Sequence, residues 1–106
     1  MSLDVYLTVR KEEVYSANIT HNLTGMAREA GLYEHLWRPD EIGVTRARQL
    51  IRPLRKGLLT LVTDPARFKA LNPPNGWGDY YGLVRFVIDY LAAAKANRSA
   101  KVRVWR

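Results

Sequence analysis

Asn18, His21 and Asn22 stand close together in the stretch NITHNL, and grouped amide and imidazole side chains are what a site uses to orient a polar ligand. On a helix, Asn18, His21, Asn22, Gly25 and Glu29 would share one flank beside an apolar stripe of Ile19, Leu23 and Met26. Glycine inside such a helix costs about 1 kcal/mol against alanine, which suits a position where a ligand or another backbone comes close. Two tryptophans sit next to loops, in Trp37-Arg38-Pro39 and in Asn75-Gly76-Trp77-Gly78. Rings of that kind, with Arg38 beside one of them, can stack on a base, a sugar or a peptide. The expected ligand-binding set is therefore Asn18, His21, Asn22, Trp37, Arg38 and Trp77. The competing structural reading makes Asn18 part of a frayed cap, His21 a surface group and the tryptophans lids over a small core.

Catalysis has less to draw on. Thr20, Thr24 and Glu29 lie near His21, but neither a nucleophile elbow nor a glycine-rich phosphate loop is present. His21 and His35 are the only histidines and no HExxH pattern occurs, so no metal site and no cofactor are expected. The leading expectation is a non-enzymatic binding protein for a small molecule or a protein partner. A small hydrolase or transferase using His21 as base ranks below it.

A second function class follows from charge. Seventeen Lys and Arg against ten Asp and Glu give +7, which favours nucleic acid or another anionic partner. Arg48, Arg52, Arg55 and Lys56 recur on one face of a helical segment, and Arg98, Lys101, Arg103 and Arg106 form a basic tail. Such groups track a phosphate backbone without reading sequence. No helix-turn-helix glycine pattern, zinc finger or RNA-binding aromatic signature accompanies them. The absence of cysteine excludes disulfides and thiol chemistry and fits a reducing compartment. No signal peptide or membrane span is read in MSLDVYLTVRKEE or elsewhere, so the expected location is cytoplasmic, with no membrane partner.

These groups need elements to position them. A chain of 106 residues, 47% of them apolar, reads as one domain spanning 1–106. Leu3 to Val9 and Lys101 to Trp105 alternate apolar and polar residues, the period of a half-buried strand. Helical spacing fills the middle. One helix is expected from a Ser16 cap to Gly31, with Ile19, Leu23, Met26 and Ala30 inward, and a short turn of helix carries Tyr33, Leu36 and Trp37 up to Pro39. Thr45 is expected to cap a long helix broken or kinked at Pro53. Asp64-Pro65 opens a brief helix, NPPNGWGDYYG is a loop, and Asp79 caps a last helix with Leu83, Val87, Tyr90 and Ala94 inward. The fold class is α+β: four helices, two of them long, cover one side of a small sheet formed by the two chain ends. Those ends should pair with each other; the alternative is that one extends a partner's sheet in a homodimer.

Through NITHNL, LWRP and NGWG, and with a likeness running over nearly the whole length, the chain resembles a small family of uncharacterised proteins encoded by phages and bacterial genomes. The resemblance implies no activity, cofactor or catalytic residue. Members of that family are often more acidic, with Glu in place of many of these Arg, which implies that the +7 belongs to this chain and not to the family's task and lowers the nucleic-acid reading.

Overall fold

The computed structural model describes residues 1–106, and helices lie on one face of a small antiparallel sheet built from the chain ends, the expected α+β arrangement. Strand β1 (Ser2–Val9) is central, flanked by β2 (Glu12–Thr20) and β3 (Lys101–Trp105). Leu3, Val5 and Leu7 are fully buried because a period of two delivers every second side chain to the same face. Val104 pairs with Val5 and Val102 with Leu7, so the two ends meet within one chain as expected.

The expected helix from Ser16 to Gly31 is a correction. Residues 12–20 form β2, with Tyr15, Ala17 and Ile19 turned to the core and Val14 bulged out where the register shifts between Leu7 and Thr8. As a strand the segment brings Tyr15 and Ala17, half-buried, to the core beside buried Ile19 and satisfies one edge of β1. Helical structure starts with a 3₁₀ turn at His21–Leu23, capped by Thr20, whose Oγ1 accepts from the Asn22 N–H at 3.2 Å. It continues as α1 (Thr24–Glu29). Ile19, Leu23, Met26 and Ala30 are all buried; the helical period holds from Leu23 to Ala30 and fails at Ile19, which lies on β2. Nothing lies within 4 Å of a Cβ placed on Gly25, so no other backbone comes close there.

Helix α2 (Tyr33–Trp37) ends before Pro39, as the proline requires. The expected long helix is instead a 3₁₀ turn (Ala47–Leu50) followed by α3 (Ile51–Thr63), and Pro53 falls in the first turn of α3, where an N–H would have had no partner anyway. Capping falls to Gln49 and not to Thr45: its Oε1 accepts from the N–H groups of Thr45 and Arg46, both at 2.8 Å. Asp64 and Asp79 cap α4 (Pro65–Lys69) and α5 (Tyr80–Ala96) in the expected way, accepting from Arg67 N and Gly82 N.

Leu83, Val87, Tyr90 and Ala94 of α5 and Leu54 and Leu61 of α3 are fully buried between the two long helices and the sheet. Gly57 lets α3 approach α2's entrance, since a Cβ there would stand 2.2 Å from Leu32 Cδ2. The Tyr90 ring stacks on Tyr15 at 5.9 Å, its hydroxyl has no hydrogen-bond partner, and burial pushes its pKa up. No helix is long and apolar enough to cross a membrane.

Candidate functional site

The NITHNL, LWRP and NGWG stretches meet in space. Trp37, almost wholly buried on α2, donates its Nε1–H to His21 Nδ1 at 2.9 Å. Asn22 Nδ2 donates to the Trp77 carbonyl at 3.4 Å, which ties the 72–79 loop to the turn after β2. Gly78 closes the joint: its φ is +95°, and a Cβ there would lie 2.6 Å from Thr20 Cγ2 and 3.1 Å from Leu23. Of the six expected ligand-binding residues, His21, Asn22, Trp37 and Trp77 therefore come together.

Asn18 lies apart from that joint, and Arg38 adjoins it through Tyr33. Asn18 is on the outer face of the sheet, donating Nδ2 to Ser2 Oγ at 2.8 Å and to Asp4 Oδ1 at 2.7 Å. Arg38 donates to the Tyr33 hydroxyl at 3.3 Å and to Glu41 at 3.1 Å. The Tyr33 ring stacks on Trp37 at 5.7 Å, and Arg28 lies over it at 4.0 Å. The Arg38 guanidinium beside Tyr33 holds that hydroxyl below the usual phenol range. The four principal cavities are lined by residues other than His21, Asn22, Trp37 and Trp77.

This geometry bears on His21 as a base. With Nδ1 accepting from Trp37, the neutral ring carries its proton on Nε2, a donor, so neither nitrogen keeps a free lone pair for a base. No carboxylate or hydroxyl is hydrogen-bonded to the ring.

The largest concavity lies elsewhere. It is an open groove of about 1060 Å³ at one end of the sheet, where Arg10, Lys11, Arg46, Lys101 and Arg103 converge. Three segments bring them there. Arg10 and Lys11 form the two-residue turn joining β1 to β2, both with left-handed backbone, at φ 51° and 70°. Arg46 is held by bridging to Lys101 across the edge of β3, by the Val102 N–H donating to the Thr45 carbonyl at 2.9 Å, and by its own Nη1 donating to the Ser99 carbonyl at 3.2 Å. Lys101 and Arg103 come from β3. None of the five is ion-paired with a carboxylate. Asp40 also lines the groove, but Arg106 grips it through two hydrogen bonds of 2.7 and 3.1 Å, which keep its carboxyl below the usual range.

Arg48, in the 3₁₀ turn, and Arg52, Arg55 and Lys56, on the outer side of α3, are exposed without carboxylate partners. The Arg48 N–H donates to the Arg98 carbonyl at 2.9 Å, so the start of this basic face adjoins the segment leading into β3. Arg106, counted in sequence with the basic tail, is engaged by Asp40. Arg10, Lys11 and Arg46 had no place in either expected set. An Arg-Lys pair between two alternating segments was the available signal for a hairpin tip, and it lacks the Asn-Gly chemistry that marks one. No protein-family model, no curated protein and no solved structure matches the chain significantly.

Proposed function

We propose that this chain is a non-enzymatic binding protein whose ligand is nucleic acid, held by its phosphates in the groove between the β1–β2 turn, the segment 44–46 and β3. One observation carries the reading: Arg10, Lys11, Arg46, Lys101 and Arg103 converge on one open groove with no carboxylate paired to them. Like charges gathered on one surface repel, and a polyanion relieves that repulsion while releasing its own counterions. The exposed cations Arg48, Arg52, Arg55 and Lys56 extend the positive surface along α3. A small-molecule or protein ligand at Asn18, His21, Asn22, Trp37, Arg38 and Trp77 has weaker support, because most of their polar groups already bond within the protein. The resemblance through NITHNL, LWRP and NGWG adds a phage-borne setting to this reading.

Anisotropy titrations with labelled duplex and single-stranded oligonucleotides test it. Binding is expected in the micromolar range at low salt and should fall steeply as salt rises, with a slope of about 0.7 to 0.9 per phosphate contact. Replacing Arg46, Lys101 and Arg103 together by alanine should weaken every complex and reduce that slope by roughly two to three. Absence of any complex at micromolar protein and low salt overturns the proposal.

A further inference from the structure

We infer that the nucleic acid is single-stranded and that its bases stack on Tyr6 and Trp105, across the face of the sheet that no helix covers. The inference rests on the nucleic-acid reading above and narrows it. Pairing register puts both rings on the outer face: Tyr6 is opposite Arg103 on β3, and Trp105 is opposite Asp4 on β1. They are diagonal neighbours on adjacent strands, a separation of about 7 Å that long aromatic side chains span. Trp105 is 73% exposed, a large apolar ring in water that no packing within the chain accounts for.

Arg103 connects this face to the groove, since it lines the groove and also stands beside Tyr6. Lys101, opposite Thr8, continues the same row. Of the carboxylates on the outer face, Glu13 sits on β2, with β1 between it and the cationic row on β3, and Asp4, opposite Trp105, already accepts from Asn18 Nδ2 at 2.7 Å. That division orients a strand. Its phosphates follow Lys101 and Arg103 toward the groove, and its bases turn inward over Tyr6 and Trp105. A duplex keeps its base faces stacked on one another and offers such rings only its backbone, whereas a single strand presents free π-faces. Every base has such a face, so the selection is for strandedness over sequence. Motif reading missed the platform because its two rings come from opposite ends of the chain.

The test compares single-stranded DNA, single-stranded RNA and duplex DNA of equal length for the full chain and for Tyr6→Leu, Trp105→Leu, Trp105→Phe and the triple groove variant Arg46→Ala, Lys101→Ala, Arg103→Ala. Circular dichroism and melting confirm that each variant is folded. Single strands should bind more tightly than duplex and quench tryptophan fluorescence. Trp105→Leu should remove that quenching and weaken single-strand binding by roughly tenfold or more, with duplex binding and the salt slope nearly unchanged. Trp105→Phe should recover most of the affinity, and Tyr6→Leu should weaken single-strand binding as Trp105→Leu does while the quenching of Trp105 in the complex persists. The DNA and RNA arms identify the sugar preferred. Equal binding of single strand and duplex, insensitive to Tyr6 and Trp105 but weakened by the groove variant, overturns this inference and leaves the groove reading standing. No complex with any oligonucleotide overturns both.

Discussion

Trp37 has 2% of its surface exposed, so its indole N–H must find an acceptor inside the protein, and His21 Nδ1 at 2.9 Å is that acceptor. Removing the imidazole strands a buried donor, which costs more than the hydrogen bond itself contributes. His21→Ala is therefore expected to destabilise the fold by about 1 to 3 kcal/mol, measured by urea unfolding. In a double-mutant cycle with Trp37→Phe the two losses should be less than additive by at least about 0.5 kcal/mol. Strict additivity would mean that the contact contributes nothing. The same variant, once folded, should bind oligonucleotide as the full chain does, because its role is to hold α2 against the turn after β2.

At the scale of the element, the β1–β2 hairpin sets stability against binding. Its two-residue turn places Arg10 and Lys11 at φ 51° and 70°, where Asn and Gly are the residues that sit without strain. Two cations held in a left-handed turn at the lip of a basic groove are the kind of local conflict expected at a functional position. Replacing Arg10 by Asn together with Lys11 by Gly should raise stability by about 1 to 2 kcal/mol and Tm by several degrees. It should also weaken oligonucleotide binding at low salt and lower the salt slope by roughly one to two. A variant no more stable than the full chain would show that the turn is unstrained, and one that binds undiminished would remove Arg10 and Lys11 from the interface.

At the scale of the whole molecule, β3 is both a structural closure and a wall of the proposed site. It pairs along β1 from Asp4 to Thr8, and just beyond it Arg106 ties the chain end to Asp40 and to the Trp37 carbonyl at 3.2 Å. Deleting residues 100–106 should expose the inner side of β1 and cost several kcal/mol out of a domain stability of roughly 5 to 15 kcal/mol. A truncated chain that melts cooperatively within about 2 °C of the full one would show that the terminal pairing carries little of that stability.

Periodicity in the sequence was enough for β1, β3, the inner face of α5 and the α+β class, because burial on one face imposes a repeat of two or about 3.6 on any element. Local chemistry was enough for the Asp64 and Asp79 caps and for the loop around Trp77, since those signals are satisfied within four residues. β2 was not legible: a run containing Ser16, Asn18 and Ile19 suits either a strand or a capped helix, and only the unpaired edge of β1, distant until the hairpin closes, selects the strand. The candidate site followed the same division. NITHNL, LWRP and NGWG were visible as unusual local chemistry, yet tertiary contacts decided that His21, Asn22 and Trp37 bond within the protein. The groove and the Tyr6–Trp105 face depend on bringing residues 6, 10, 11 and 46 beside residues 101–105. Charge and aromatic character are properties of single residues, but their convergence is set by strand pairing between residues 93 to 101 positions apart, which no local pattern encodes.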